Sequence, residues 1–260
     1  LLLCGKSIVF DEVARSLKAS STFNLGDGSA FEFVLCSEME NIQSSDNDDG
    51  FQISSYMSRL SASRFGNFLI YSPKLSSTQD VVSNNFSELP TGTVCVADKQ
   101  LKGRGRGGTA WESPRGCLMF SFTLQMDNGR VVPLVQYVVS LAMTDAINDL
   151  CKQKGAPPLN VQIKWPNDLY LAGLKVGGVL CTSKYRSGKF NISAGIGLNV
   201  NNEKPTTCLN AVMKRSGVSC DLRREDVMAA FFNIFERHYD VFLSEGFQAL
   251  EEMYYKTWLH

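Results

Sequence analysis

Residues 102–111 read KGRGRGGTAW and separate two short apolar runs, at residues 92–97 and 117–124. Four glycines among the six residues 103–108 let the backbone approach a ligand closely. Arg104 and Arg106 alternate with them, and guanidinium groups suit a phosphate or a carboxylate. The alternative is a disordered RGG-type tether for RNA, but such tethers usually lie in long low-complexity tails. The position between two apolar runs favours a ligand-binding loop.

The elements predicted around this loop indicate an α+β fold. Short apolar runs bounded by turn residues predict strands at residues 68–71, 92–97, 117–124, 161–165, 175–183 and 190–200. Helical spacing of apolar residues predicts helices at residues 133–150, 227–242 and 247–258. Ala172-Gly173 and Ser187-Gly188 predict hairpin turns. Because strands and helices do not alternate regularly, we expect a mixed or largely antiparallel central sheet flanked by helices.

Composition excludes several classes of site. The chain has 260 residues, with 26 basic and 26 acidic side chains, so no basic nucleic-acid footprint is evident over the whole chain. Only 2 histidines are present, which excludes a histidine-rich metal site. The 8 cysteines contain no Cys-x-x-Cys pair, and several lie in apolar runs. We therefore expect reduced core cysteines in an intracellular protein.

The first 65 residues differ from the rest of the chain. They contain serine-rich patches, short apolar runs at residues 1–4 and 31–36, and an acidic, polar run at residues 41–50. We predict an N-terminal extension or small subdomain with an acidic linker at residues 1–65, and one compact domain at residues 66–260. No apolar stretch has the length of a bilayer span. The chain begins with leucine, so a targeting segment upstream would not be visible.

Three further segments carry polar groups that could contact a ligand. SSTQ at residues 76–79 could cap a helix or bind a polar ligand head. Lys164 ends a predicted strand before a Trp-Pro-Asn-Asp turn, where it is either a fixed point charge or a surface lysine. In GIGLN at residues 195–199, the glycines leave space beside a strand, and Asn199 can donate to and accept from a heterocycle. A plain bulge is the alternative interpretation of that segment.

The combination and order of these motifs are specific. SSTQ, Q-x-x-GRGRGG-x-x-W, KWPNDLY, LKVGGVL and GIGLNVN follow one another in this chain. In that order they resemble the biotin–protein ligases, also called holocarboxylase synthetases, of the eukaryotic, plant-like type. The resemblance covers about residues 66–259, and the pair GRGRGG and KWPND carries most of it. It implies the biotin/lipoate ligase catalytic-domain fold for residues 66–260.

The resemblance implies an ATP-dependent, AMP-forming biotin–[biotin carboxyl carrier protein] ligase. Such enzymes join biotin and ATP into biotinyl-5′-AMP, and a lysine of a carboxylase carrier domain then takes the biotinyl group. Mg²⁺ is expected to arrive with ATP, without direct protein ligands. The implied location is the cytoplasm, or the chloroplast or mitochondrion if an upstream targeting segment exists. Neither nucleic acid nor membrane is an expected partner.

The resemblance also assigns roles to individual residues. Lys164 and Arg106 are the expected catalytic residues, with Lys164 contacting the biotin carboxylate and the α-phosphate. The biotin and adenylate site as a whole is expected to comprise Ser77, Thr78, Gln79, Gln100, Gly103, Arg104, Gly105, Arg106, Trp111, Lys164, Gly195 and Asn199. Within it, residues 77–79 and Gln100 line the biotin ureido end, and residues 103–106 fold over the ligand. Trp111 and Asn199 lie near the adenine.

Departures from the family pattern leave alternatives open. Gly107 and Thr109 stand where many relatives carry basic residues, which predicts a weaker hold on the adenylate. The small C-terminal β-barrel of the family is expected to be absent, so a catalytically impaired, truncated form is one alternative. A lipoyl or octanoyl ligase of the same fold and an RNA-binding module are others. Residues 1–65 do not resemble a DNA-binding winged helix.

Overall fold

A computed structural model describes residues 1–38, 50–202 and 204–260 of the chain. Within these ranges nine strands form one sheet. They are β1 (Leu2–Gly5), β2 (Val34–Leu35), β3 (Phe68–Ser72), β4 (Val94–Ala97), β5 (Cys117–Met126), β6 (Gln162–Lys164), β7 (Asp168–Leu171), β8 (Leu174–Arg186) and β9 (Lys189–Asn199). The order across the sheet is β2-β1-β3-β4-β5-β9-β8-β7-β6.

The helices flank this sheet. They are α1 (Ile8–Ala19), α2 (Ile53–Arg59), α3 (Thr78–Asn84), α4 (Val135–Gln153), α5 (Leu209–Arg215), α6 (Arg224–Glu245) and α7 (Gln248–Lys256). Two strand pairs, β1 with β2 and β3 with β4, are parallel, and the remaining neighbours are antiparallel. The predicted α+β architecture with a mixed sheet is confirmed. No helix in the described ranges combines the length and the apolar character of a membrane span.

Both faces of the sheet are covered, because alternate side chains of each strand point in opposite directions. Val94 and Val96 of β4 belong to the larger core, which α4 and α6 complete with aromatic side chains such as Phe231. Cys95 and Ala97 of the same strand belong to a smaller core. That second core also holds buried residues of α1 and α3, so it fixes α3 against the sheet.

The long hairpin of β8 and β9 runs across the centre of the sheet. Its turn is Ser187-Gly188, and the turn between β7 and β8 is Ala172-Gly173. All four of these residues have positive φ, which two-residue hairpin turns of the I′ type require. Both predicted hairpins are confirmed, and the strand and helix predictions for residues 66–260 agree with the structure within a few residues.

The N-terminal residues add to the same sheet. β1 pairs with β3 in antiparallel register, and α1 connects β1 to its parallel neighbour β2. The sequence predicted only partial order here and missed α1. The predicted acidic linker at residues 41–50 lies, apart from Gly50, outside the described residues.

The expectation that the cysteines are reduced is wrong for two of them. Cys4 of β1 and Cys36, directly after β2, form a disulfide. The parallel pairing of these two strands brings the Cα atoms to 5.2 Å, which is within the range that a disulfide spans. Six other cysteines are free thiols, and most of them are buried, as expected.

Candidate active site

A cavity of about 550 Å³ opens between α3, the glycine–arginine loop, β5 and the β8–β9 hairpin. Most of the residues that the sequence assigned to the site line it. They are Ser77, Thr78, Gln79, Gln100, Arg104, Gly105, Arg106, Trp111, Gly195 and Asn199. Gly103, at the beginning of the loop, and Lys164 are not among the residues that line the cavity. The cavity therefore brings together segments that are more than one hundred residues apart in the chain.

The start of α3 forms one polar end of the cavity. Ser77 caps the helix, since its Oγ accepts a hydrogen bond from the backbone N–H of Asp80 at 3.4 Å. The Oε1 atom of Gln100 accepts from the backbone N–H of Thr78 at 2.7 Å and from its hydroxyl at 3.0 Å. Thr78 Oγ1 also lies 2.9 Å from Ser121 Oγ. The segment therefore caps the helix, as one interpretation predicted, and lines the cavity, while its contact with a ligand stays a prediction.

Gln79 presents an unpaired acceptor at this end. Its Nε2 donates to Thr182 Oγ1 at 3.0 Å and to the carbonyl oxygen of Ser193 at 2.9 Å. That carbonyl can only accept, so the amide nitrogen must face it and Oε1 must point away. Oε1 is buried and has no hydrogen-bond partner among the described residues, and a Cβ built on Gly195 would come within 2.7 Å of it. A ligand with an N–H group would complete the hydrogen bonding here.

The glycine–arginine loop is a small folded hairpin. The backbone N–H of Gly105 donates to the carbonyl of Thr109 at 2.7 Å, and that of Trp111 donates to the carbonyl of Gly103 at 2.9 Å. A short 3-10 turn, Arg106–Gly108, forms the tip. Gly107 and Gly108 adopt positive φ in this turn, which glycine does without steric cost. The loop is thereby ordered over the cavity.

The two arginines of the loop have different surroundings. Arg104 forms an ion pair with Asp80 of α3. Arg106 lies at the exposed tip and lines the cavity. The sequence treated the two guanidinium groups as equivalent anion ligands, whereas the structure places a carboxylate against the first of them.

Trp111 covers the opposite end of the cavity from Gln79. Its indole lies over Gly197 of β9, and its Nε1 is buried with no partner in the described part of the chain. The ammonium group of Lys175 lies 5.7 Å from the ring centroid, in a cation–π arrangement. This end therefore offers a flat aromatic surface beside a positive charge.

Lys164, the lysine predicted for the site, is not among the residues that line the cavity, so its catalytic role stays a prediction. Lys164 is exposed at the end of β6, and its Nζ lies 5.3 Å above the ring of Tyr170. In β6, Lys164 pairs with Asp168 of β7, which lines the cavity, but the Lys164 side chain turns to Tyr170 and is not among the lining residues. Lys175 of β8 does line it and pairs with Asp168 at 2.6 Å. The motif LKVGGVL contains Lys175 and was the available signal.

Asn199 lines the cavity, but its amide is already bonded. Its Oδ1 accepts from the Cys117 thiol at 3.0 Å, and its Nδ2 donates to the carbonyl of Thr207 at 3.1 Å and to Thr206 Oγ1 at 3.3 Å. Thr206 in turn donates to the carbonyl of Lys175 at 2.6 Å. Asn199 therefore holds the segment that borders the cavity beside Lys175, and its contact with an adenine stays a prediction.

Comparison with known proteins agrees with this geometry. Residues 71–199 match the model of the Biotin/lipoate A/B protein ligase family. Over 261 aligned residues the chain is 58% identical to Biotin–protein ligase 1, chloroplastic, of Arabidopsis thaliana, an alignment that covers 100% of this chain and 71% of that protein. The chain belongs to the biotin–protein ligase family.

Other relatives support the same assignment. Biotin–protein ligase 2 of Arabidopsis thaliana is 57% identical, with 100% of this chain and 79% of that protein aligned. Among solved structures, biotin protein ligase from Aquifex aeolicus in complex with biotin and ATP is similar, with a TM-score of 0.57 and 28% identity. That similarity covers 74% of this chain and 78% of the Aquifex chain. The sequence-based prediction of the family is therefore confirmed.

Proposed function

We propose that this cavity activates biotin with ATP and that the enzyme then passes the biotinyl group to a lysine of a carrier domain. The observation that carries the proposal is the polarity of the cavity. One end presents the unpaired acceptor of Gln79, and the other presents the cation Lys175 beside the Trp111 indole, while Arg106 lines the cavity from the loop tip. Biotin has a matching polarity, with ureido N–H groups at one end and a carboxylate at the other.

The acceptor at Gln79 favours biotin over lipoate. The ureido ring of biotin can donate an N–H to Oε1, whereas the dithiolane ring of lipoate has no N–H. A site built to accept a hydrogen bond discriminates strongly against a ligand that cannot donate one, because the buried acceptor is then left unpaired. The lipoyl and octanoyl alternative therefore lacks support from this end of the cavity.

The cationic end suits the first chemical step. A biotin carboxylate oxygen forms a bond to the α-phosphorus of ATP, and the bond from that phosphorus to pyrophosphate breaks. Lys175 and Arg106 are placed to reduce the repulsion between the two anions and to stabilise the charge that develops at phosphorus. In the second step a carrier lysine amine attacks the acyl carbon, an amide forms, and AMP leaves.

Magnesium is assigned to the nucleotide. Within the described ranges, no group of three or more histidine, cysteine, aspartate or glutamate side chains is arranged to hold a metal ion. Asp168 and Glu112 line the cavity, but Asp168 is paired with Lys175. An ion that enters with the triphosphate would supply further charge neutralisation at the phosphates.

The partner class follows from the second step. We assign the acceptor lysine to the biotin carboxyl carrier domains of biotin-dependent carboxylases. For location we propose the cytoplasm, with a chloroplast or mitochondrial form where an upstream targeting segment exists. The word chloroplastic in the name of the relative at 58% identity is in keeping with such a form.

Exchange of labelled pyrophosphate into ATP tests the proposal. We expect exchange that depends on biotin and is far weaker with lipoate, since only biotin satisfies Gln79. Substitution of Lys175 by methionine, at the cationic end, should abolish most of it. Equal exchange with both acids would contradict the assignment of biotin, and no exchange with either acid would contradict the ligase.

A further inference from the structure

The ion pair between Arg104 and Asp80 ties the glycine–arginine loop to α3. Backbone hydrogen bonds tie the beginning of the loop to the segment before α3, where Leu101 N–H donates to the carbonyl of Leu75 and Lys102 N–H to that of Ser76. Arg104 lies further along, on the first strand of the loop hairpin, opposite Ala110. A tie at this position therefore acts on the part of the loop that covers the cavity.

The Asp80 side chain is itself held in place. Asp80 lies in the first turn of α3, directly after Gln79. Gly26 of the N-terminal segment packs beside it, since a Cβ on that glycine would lie 3.4 Å from the Asp80 Cβ. Asn24 and Asn85 fasten the same segment to α3, through Asn24 N–H to Asn85 Oδ1 at 2.7 Å and Asn85 Nδ2 to the Asn24 carbonyl at 2.8 Å. The carboxylate is thus packed between the N-terminal segment and the loop.

We propose that Asp80 is a positioning residue that keeps the glycine–arginine loop closed over the cavity by holding Arg104. The proposal rests on the function proposed above, because the loop must retain the biotinyl-adenylate until the carrier lysine arrives. It also assigns the loop's two arginines to separate tasks. Arg104 anchors the hairpin, and Arg106 is left to face the anionic ligand.

The size of the effect follows from exposure. The Arg104 side chain is 47% exposed and that of Asp80 is 24% exposed, so solvent screens much of their attraction. Ion pairs of this kind change an equilibrium by at most about fivefold. Loss of the tie should therefore increase loop opening by about two- to fivefold, which is large enough to measure as a rate.

The test compares the wild type with Asp80→Asn, Asp80→Glu and Asp27→Asn. Asp27 is an exposed carboxylate of the same N-terminal segment, and it contacts Ser29 N–H at 2.9 Å and the Ser76 side chain; asparagine keeps an acceptor oxygen there, so the substitution controls for the general loss of a negative charge near α3. Biotinyl-adenylate is formed on the enzyme from biotin and ATP, and its release rate is measured after pyrophosphate and ATP are removed. The measurement is repeated at about 0.1 M and about 1 M salt, where the Debye length falls from about 10 Å to about 3 Å.

We expect Asp80→Asn to release the adenylate about two- to fivefold faster at low salt, with a smaller ratio at high salt. Asp80→Glu should restore slow release, and Asp27→Asn should match the wild type. The inference is overturned if Asp80→Asn retains the adenylate as well as or better than the wild type, if its effect is the same at both salt concentrations, or if Asp27→Asn has the same effect. If the proposed function itself fails, the wild type forms no adenylate at all, which separates the two failures.

Discussion

Gly197 of β9 lies directly under the indole of Trp111, so closely that a Cβ on Gly197 would come within 2.6 Å of Trp111 Cε2. We predict that Gly197→Ala displaces the indole and raises KM for ATP about tenfold, because an aromatic contact of about 1.4 kcal/mol is lost. Gly178→Ala is the matched control. It also lines the cavity, but its Cβ would meet Asp168 Oδ1 at an ordinary 3.5 Å. Equal KM values for the two variants would refute the role of Trp111 in nucleotide binding.

Lys175 and Lys164 make a second pair for comparison. Lys175→Met removes a cation that lines the cavity, and we expect the rate of pyrophosphate exchange to fall by about 10²- to 10³-fold. Lys164→Met alters an exposed side chain outside the cavity, so its effect should remain within about twofold. Steady-state exchange with saturating biotin and ATP measures both. The reverse ranking would restore the sequence-based choice of Lys164.

Arg106 is predicted to retain the biotinyl-adenylate in the cavity. Arg106→Gly removes a charged donor at the loop tip, and charge-assisted hydrogen bonds contribute about 1.5–3 kcal/mol. The adenylate should escape about 10- to 100-fold faster and label exposed lysines of unrelated proteins, detected with streptavidin on a bystander such as serum albumin. Lys102→Ala, an exposed cation of the same loop that does not line the cavity, is the control. Loss of all turnover without bystander labelling would show that retention is not its role.

How much of this site was predictable depends on how far apart in the sequence the interacting residues lie. The helix cap at Ser77 and the loop between β4 and β5 follow from short stretches of sequence, and both were placed correctly. The choice between Lys164 and Lys175 was not predictable in this way. Each lysine belongs to a plausible strand, and only the side-chain contacts decide which ammonium group borders the cavity: Lys164 turns to Tyr170, whereas Lys175 lies beside Trp111. The contact of Lys175 with Trp111 joins two separate segments of the chain.

The Cys4–Cys36 disulfide has the same explanation. Each cysteine adjoins an apolar run and reads as a core residue when considered alone. Only the crossover through α1, which sets β1 and β2 side by side, brings the two thiols together. The engagement of both ends of the Asn199 amide by Cys117 and the segment at Thr206 was likewise invisible, because partners from three separate segments are required.

Burial of the Cys117 thiol predicts that the free energy of unfolding falls at alkaline pH. Burial raises the pKa of Cys117 from its ordinary 9.0 to about 12. Its contribution to stability is complete below about pH 9, where the thiol is protonated in both the folded and the unfolded chain. Between about pH 9 and pH 12 only the unfolded chain loses this proton, so the free energy of unfolding falls as pH rises, by up to about 1.4 kcal/mol per pH unit.

Urea unfolding at a series of pH values measures this fall in the free energy of unfolding. Cys117→Ala should show a shallower decline above pH 9 than the wild type, although it loses the thiol's bond to Asn199. Identical slopes for wild type and Cys117→Ala would exclude this thiol as a cause.

On the side of β9, glycine backbone without side chains lines the cavity. Gly195 and Gly197 face Gln79 and Trp111, while Ala194, Ile196 and Leu198, which alternate with them, belong to the core. This side of the cavity cannot be enlarged by substitution to accept a bulkier acid. Glycine has no side chain that a substitution could shorten, so a larger cavity requires smaller side chains on the segments that face β9. Reengineering of acid selectivity must therefore act on the lining side chains of α3, the glycine–arginine loop, β5 and β8.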